Sequence, residues 1–303
     1  MKSAAGETLF NSQPYAAANL REGQSWRCFE FSVDGIAVAS VAGVVEGTTW
    51  CNGYSAPFGG IDVLASTVPP SALGAGVAAF LEHARAAGIT RVRIGCRPSY
   101  YSDREVQLQS ALLANGFSAE QGEISQAIAL DRFANTDDYL RTLKDSARCT
   151  VRHGLKRGFE WRRADDDADW GDGFAVLERN KAKRGARMRY PLAYVRALAT
   201  ALPGRIRMQV LRNAGRAIAA ALVYRIDAGA DYVAAWGDAD HDLAHSPMNL
   251  VALRLVEDAL AARLRLLDLG ISSDAGRADD GLVAFKRHVG ATSALRLGLV
   301  RGL

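Results

Sequence analysis

The stretch Arg265–Val300, RLLDLGISSDAGRADDGLVAFKRHVGATSALRLGLV, contains the elements that decide the fold. Its first six residues form an apolar run that predicts a strand. Gly281–Gly290 has the pattern of a helix closed by a glycine, and Ala291–Val300 predicts a second strand. A strand, a helix and a strand in succession are typical of mixed α/β architectures.

The residues before this stretch predict antiparallel strands followed by a helix. The three strands are expected at Ile206–Arg212, Arg216–Ile226 and Asp231–Gly237. A turn at Asn213-Ala214-Gly215 separates the first two strands. The helix begins at Ser246-Pro247, because serine caps helices and proline suits the first helical position, and it extends to about Arg263.

The first half of the chain repeats this order of elements. Apolar runs on either side of Asp34-Gly35 predict a hairpin, and a loop rich in glycine follows at Ala56–Asp62. The helix, strand, helix and strand that come next keep a nearly constant separation from their equivalents, so that Thr90 matches Arg265 and Gly116 matches Gly290. A repeat of domain length indicates duplication of one unit.

We therefore predict an α/β (α+β) fold with two tandem lobes, at residues 1–135 and 136–303. Each lobe is expected to be a mixed, mainly antiparallel sheet flanked by helices. A basic helical insert is expected at residues 136–201, between the two repeats.

Composition excludes several classes of protein. The 303 residues are 49% hydrophobic and 23% charged, as in soluble globular proteins, with no run of 18 apolar residues and no apolar signal-peptide core near Met1. A cytoplasmic protein without a membrane span is expected.

The sequence predicts neither a metal site nor a disulfide. The four cysteines form no CxxC pair, and no HExxH spacing occurs; the cysteines are Cys28, Cys51, Cys96 and Cys149. A net charge of +4 is too small to indicate a DNA partner.

Three local patterns resemble the FemABX-like acyltransferases, which are built from two GNAT units. These patterns are Ala56–Asp62 (APFGGID), the basic run Leu140–Gly158, and Leu267–Gly270 followed by Gly281–Gly290. The last pattern departs from the family in having Val289 where an aromatic residue is more usual. The resemblance implies two tandem GNAT-like lobes and an enzyme that joins an activated acyl or aminoacyl group to an amine.

The resemblance implies a catalytic role for Lys286. Amide formation passes through a tetrahedral oxyanion, and a fixed positive charge beside that oxygen stabilises it by roughly 3–4 kcal/mol. The alternative is an ordinary solvated helix lysine. Asp268 lies in an apolar strand, where it could orient the amine or accept its proton. Its alternative is a structural partner such as Arg263, Arg265 or a backbone amide.

Candidate acceptor-binding residues come from the loop, the insert and the second lobe. They are Phe58, Gly59, Gly60 and Asp62 of the loop, Arg189 and Tyr194 of the insert, and Tyr224 and Trp236 of the second lobe. Paired glycines let a ligand approach backbone N–H groups closely, which suits a carboxylate or phosphate. A tight surface loop explains the glycines equally well, and core packing is the alternative for the two aromatic residues.

Candidate donor-binding residues are cationic. Lys144, Arg148, Arg152 and Lys156 recur every four residues and would lie on one face of a helix, and Phe285 and Arg287 flank Lys286. A cationic face suits an RNA acceptor stem, although a solvated face is the alternative.

The sequence lacks the glycine pattern of a coenzyme A-binding loop, and this absence bears on the identity of the acyl donor. Neither SAPFGG nor HDLAHSPMN has the glycine spacing with which GNAT enzymes hold coenzyme A, and Pro247 removes an amide there. We therefore expect aminoacyl-tRNA as co-substrate, with no permanently bound cofactor, and a small-molecule or peptide amine as acceptor. The alternatives are an acyl-CoA-dependent N-acyltransferase acting on an amino sugar or small amine, and a non-catalytic binding module.

Overall fold

A computed structural model describes residues 8–33, 35–65, 67–238 and 247–303 of the chain. The predicted cap Ser246 and most of the HDLAHSPMN loop lie outside these residues. Among the helices of the described residues, none has the length and apolar character that crossing a membrane requires.

The described residues form helices and strands in the following order. The strands are β1 (Ser25–Val33), β2 (Ile36–Glu46), β3 (Thr49–Asn52), β4 (Asp62–Val63), β5 (Arg91–Gly95), β6 (Ser118–Ala129), β7 (Glu160–Arg163), β8 (Ile206–Asn213), β9 (Arg216–Asp227), β10 (Ala230–Asp238), β11 (Leu266–Ile271), β12 (Ser273–Asp274), β13 (Arg277–Ala278) and β14 (Thr292–Gly302). The helices are α1 (Gln13–Ala17), α2 (Pro70–Ala86), α3 (Arg104–Ala114), α4 (Thr136–Thr142), α5 (Asp145–Leu155), α6 (Asp167–Lys183), α7 (Leu192–Ala201), α8 (Met248–Ala261) and α9 (Asp280–His288).

The first compact unit comprises Met1–Ser125, Ser273–Ala278 and Ala294–Leu303. Its strands follow the order β1-β2-β3-β5-β14, with β4 paired to β2. Only the pairing of β3 with β5 is parallel among these strands. Helices α2 and α3 pack against each other, and the buried core of this unit includes Phe31, Trp50 and Phe80.

The second compact unit comprises Gln126–Ser272 and Asp279–Ser293. Its strands follow the order β11-β10-β9-β8-β7, in which β10 and β11 are parallel and the other pairings are antiparallel. Helix α8 packs on α5, and α6 packs on β8, β9 and β10. The fold is therefore mixed α/β with mainly antiparallel strands flanked by helices, as the sequence predicts.

Both repeats contain the expected succession of antiparallel strands, helix, strand, helix and strand. Gly116 and Gly290 follow the equivalent helices α3 and α9 with φ of 79° and 90°, a left-handed conformation that glycine adopts without strain. The two units are not continuous in sequence, however. Residues 294–303 belong to the first unit, and β14 pairs with β5 there. The predicted boundary at residue 135 assumes that each lobe is one continuous segment, whereas the first unit also includes residues 273–278 and 294–303.

The insert differs from the predicted basic helix. The run Leu140–Gly158 forms two helices, because Leu143 and Lys144 adopt extended conformations with ψ of 150° and 152°. Lys144 is therefore the N-cap of α5 and not part of its face. A strand, β7, also lies within the residues that the sequence assigned to helices alone.

Substitution of two glycines in helix α2 tests how closely this helix packs against β1. A methyl group at Gly76 would lie 2.7 Å from the Phe31 ring, whereas one at Gly74 would have no atom within 4 Å. We expect Gly76→Ala to lower the free energy of unfolding by about 1–3 kcal/mol through overpacking. The control Gly74→Ala should raise it by up to about 1 kcal/mol, because alanine is the better helix former. Denaturant titration measures both changes, and equal effects of the two substitutions would contradict this packing.

Candidate functional site

Lys286 is buried, with 1% of its surface exposed, although every other residue of the short helix α9 is at least partly exposed. Asp279 caps this helix by accepting the Leu282 N–H at 2.9 Å. The Lys286 ammonium donates to the carbonyl oxygens of Gly270 at 2.9 Å and Ile271 at 2.8 Å. The lysine thus joins α9 to the end of β11, and the alternative of an ordinary solvated helix lysine is wrong.

Asp268 is fully buried in β11. Its Oδ1 accepts the N–H of Gly270 at 2.7 Å, which is the backbone-amide partner considered from the sequence. The same Gly270 provides a carbonyl to Lys286 and has a φ of 75°, a conformation that strongly favours glycine. The carboxylate and the ammonium are therefore both held by one turn at the end of β11.

Tyrosines extend from this turn across the neighbouring strands. Asp268 is in register with Tyr232 of β10, which is in register with Tyr224 of β9. A methyl group at Gly270 would lie 3.4 Å from the Tyr232 hydroxyl, so this phenol lies next to the Gly270 turn. Burial raises the pKa of Tyr224, and the nearby Tyr194, Tyr232 and Tyr190 raise this pKa further.

The tyrosine cluster, defined as Tyr190, Tyr194, Tyr224 and Tyr232, includes two residues of the insert. The rings of Tyr190 and Tyr194 stack with centroids 4.4 Å apart. The Arg189 guanidinium lies 5.3 Å from the Tyr190 ring centre, a cation–π distance. The structure therefore brings the predicted residues Arg189, Tyr194 and Tyr224 into one region. Sequence reasoning missed Tyr232, which no motif within the predicted strand Asp231–Gly237 singles out.

A pocket of about 170 Å³ lies beside Phe285, and we call it the Trp236 pocket. It is lined by Asn180, Arg184, Trp236, Gly237, Asp238, Met248, Leu282 and Phe285. The rings of Trp236 and Phe285 have centroids 5.5 Å apart. Trp236 was predicted on the acceptor side and Phe285 on the donor side, and the structure places them in the same wall. Neither Asn180 nor Met248 had a signal in the sequence.

Asp62 lies in a buried network of the first unit. It accepts hydrogen bonds from Thr8, from Asn11 at 3.0 Å and from Arg97 at 2.5 Å. Arg97 also donates to Glu105 at 2.8 Å. Burial alone would lower the pKa of Arg97, but the charges of Glu105 and Asp62 and their hydrogen bonds raise it above its usual value. Asp62 is therefore a buried ion-pair partner of Arg97.

The glycine loop before Asp62 has its amides engaged within the chain. The N–H of Gly59 donates to the Gly95 carbonyl at 2.8 Å, and the N–H of Gly60 donates to Asn52 Oδ1 at 2.7 Å. Phe58 is 1% exposed and packs edge-on against Phe10 and Tyr101. These contacts give the loop a structural role in the first unit.

The basic residues of α5 differ in their exposure to solvent. Arg148 is half-buried and forms an ion pair with Asp145, and its guanidinium donates to the Arg141 carbonyl at 3.1 Å. Arg152, like Lys144 and Lys156 at the helix ends, is exposed. Arg287 is also exposed. The opposite face of α5 is buried at Ala147 and Val151.

These elements define a GNAT acyltransferase fold. Residues 141–287 match the family model described as Acetyltransferase (GNAT) domain. No curated protein sequence matches the chain significantly. More particularly, the chain is similar to the crystal structure of FemX, with a TM-score of 0.75, 14% identity, and coverage of 99% of this chain and 94% of FemX. The FemABX-like, GNAT-type fold that the sequence predicts is confirmed.

Two further solved structures share this fold over most of their length. The C-terminal domain of a putative lysylphosphatidylglycerol synthetase from Agrobacterium fabrum has a TM-score of 0.56 at 16% identity, with 92% of this chain and 83% of that one covered. A tandem GNAT protein from the clavulanic acid biosynthesis pathway, solved without AcCoA, has a TM-score of 0.52 at 15% identity, with 93% and 84% covered.

The contacts of Lys286 predict a specific loss of stability. Lys286→Met removes the donor to two buried carbonyls, so we expect the free energy of unfolding to fall by about 1–3 kcal/mol. The control is Arg287→Met, which changes the same charge on the exposed neighbour and should stay within about 0.5 kcal/mol of the original protein. Thermal and denaturant unfolding followed by circular dichroism measures both. A Lys286 variant as stable as the Arg287 variant would refute the described contacts.

Proposed function

We propose that the protein is an N-acyltransferase that forms an amide bond. In this proposal an aminoacyl group moves from aminoacyl-tRNA to an amine acceptor, which is a peptide, a peptidoglycan-precursor-like molecule or a natural-product amine. The proposal rests on one observation: consecutive residues of α9 present Phe285 to a pocket and Lys286 to the turn that also holds Asp268. The likeness to FemX over nearly the whole chain supports it.

The reaction requires one bond to form and one to break. The acceptor nitrogen attacks the ester carbonyl, a C–N bond forms, and the ribose oxygen leaves with a proton that originates from the amine. Negative charge develops on the carbonyl oxygen, and the fixed ammonium of Lys286 would stabilise it electrostatically. Its two carbonyl partners hold that ammonium in place, so little reorganisation is needed when the charge appears.

Proton transfer and acceptor binding are assigned to neighbouring groups. Asp268 would orient the amine or receive its proton, since a carboxylate can act as a general base. The tyrosine cluster and Arg189 would hold the acceptor, because phenols and a guanidinium suit polar, anionic groups such as carboxylates or phosphates. Asp62, Phe58, Gly59 and Gly60 are left with the structural role that their contacts indicate.

The choice of aminoacyl-tRNA as donor is supported by exposed positive charge. Arg152, Lys156 and Arg287 are exposed in the second unit, as is the cationic run at residues 181–189. Such charges favour the phosphates of an RNA acceptor stem. Pro247, which caps α8, has no N–H to offer to a pyrophosphate. An acyl-CoA donor is the second candidate, because the matched family is described as acetyltransferase.

Label transfer distinguishes the two donors. The protein is incubated with a panel of primary amines and either total tRNA charged with radioactive amino acids or radioactive acetyl-CoA. We expect amide products from charged tRNA alone, and RNase pretreatment should abolish them. Products from acetyl-CoA that resist RNase would overturn the tRNA donor, and no product from either donor would favour a binding module.

Substitution of Lys286 tests its catalytic role. Lys286→Gln retains amide donors for the two carbonyls but removes the charge, and Lys286→Met removes both. We expect both variants to lower turnover by at least about tenfold, since oxyanion donors contribute several kcal/mol. The control Arg85→Met changes an exposed charge on α2 and should leave turnover unchanged. Rates are compared well below the melting temperature, and an unchanged rate for Lys286→Gln would exclude the charge from the mechanism.

A further inference from the structure

The Trp236 pocket is lined by both apolar and polar side chains. Four of them, Trp236, Met248, Leu282 and Phe285, are apolar. Asn180, Arg184 and Asp238 are polar, and Arg184 is exposed to solvent. An occupant would therefore combine an apolar portion with a polar portion near Arg184.

The volume of the pocket restricts its occupant. Sites for whole drug-sized ligands span roughly 300–1,000 Å³, whereas the Trp236 pocket has about 170 Å³. A nucleoside or a pantetheine arm is larger than this space, but one side chain of an amino acid fits. The pocket consequently suits a fragment of a substrate whose remainder lies outside.

Part of the pocket lining is fixed by a close approach between α6 and β10. A methyl group on Gly237 would lie 2.3 Å from Asn180 Cγ, so the Asn180 side chain rests directly on the glycine. The Asn180 amide, 7% exposed, donates to the Asp238 carbonyl at 2.8 Å. This part of the lining is therefore held in place, which favours discrimination by size.

The Trp236 pocket lies next to Lys286, the residue proposed to stabilise the reacting carbonyl. Leu282 and Phe285 lie on one face of α9, and Lys286 is the next residue of the same helical turn. If Lys286 stabilises the oxygen of the reacting carbonyl, the substituent on that carbonyl lies within a few ångströms. That substituent is the side-chain-bearing carbon of the transferred group.

We propose that the Trp236 pocket receives the side chain of the transferred aminoacyl group and selects a compact apolar one, of leucine size. This assignment deepens the proposed function and rests on it. An isosteric polar side chain such as that of asparagine is disfavoured, because its amide loses water against the four apolar side chains while the Asn180 amide is already engaged by the Asp238 carbonyl.

The test observes Trp236 directly and needs no turnover. The protein is labelled with 5-fluorotryptophan, and the Trp236 resonance is assigned by its loss in Trp236→Phe. L-leucinamide and L-asparaginamide, which share their ammonium and amide groups, are added separately at millimolar concentrations. We expect a saturable shift with leucinamide and at least about tenfold weaker binding of asparaginamide, in line with the cost of burying an unpaired polar group.

Two leucine substitutions show whether leucinamide shifts the Trp236 resonance by binding in the Trp236 pocket. Leu282→Phe fills the pocket and should abolish the response to leucinamide. Leu295→Phe, on a leucine that is 55% exposed in β14, should leave the response intact. No saturable shift in the unsubstituted protein, equal binding of both amides, or an unaltered response in Leu282→Phe would each overturn the assignment.

The failure of this assignment can be told apart from failure of the proposed function. If charged tRNA supports amide formation but leucinamide does not shift Trp236, the transferase function stands and the pocket assignment is overturned. If leucinamide binds through Leu282 as expected, the pocket is supported as an apolar side-chain site, and an absence of transfer from any donor then counts against the transferase function alone.

Discussion

A buried ammonium sets the geometry of the second unit. Moving a charge out of water is costly unless hydrogen-bonding partners replace the water, and Lys286 finds two of them in the carbonyls of Gly270 and Ile271. Gly270, near the end of β11, adopts a positive φ of 75° where these carbonyls meet the lysine. Once α9 is fixed to this turn, the positions of Phe285 and the wall of the Trp236 pocket are fixed as well.

The first unit also buries a positive charge, but it stabilises that charge with carboxylates. There the buried charge is Arg97, and two carboxylates, Asp62 and Glu105, neutralise it. The glycine loop that resembles a ligand-binding feature is tied into this network through Asn52 and Gly95. The buried charge of the first unit therefore stabilises its fold, whereas Lys286 of the second unit lies on α9 next to Phe285, which lines the Trp236 pocket.

Much of the architecture could be predicted from the sequence because local signals were strong. Turn residues at Asn213-Ala214-Gly215 and glycines closing α3 and α9 indicated the element boundaries, and the repeat indicated their order. The break at Leu143-Lys144 could not be foreseen, since neither residue disfavours a helix. The partners of Asp62 and Lys286 were equally hidden, because they come from residues distant in sequence or from backbone carbonyls that have no sequence signature.

The membership of β14 in the first unit has a consequence for synthesis on the ribosome. Chains emerge from the amino terminus, and domains generally fold in that order. Here β5 can pair with β3 but cannot obtain its second partner, β14, until residues 294–303 have been translated, after every element of the second unit. The first unit is therefore begun first and completed last, and its unpaired β5 edge is exposed to chaperones and aberrant strand pairing during that interval.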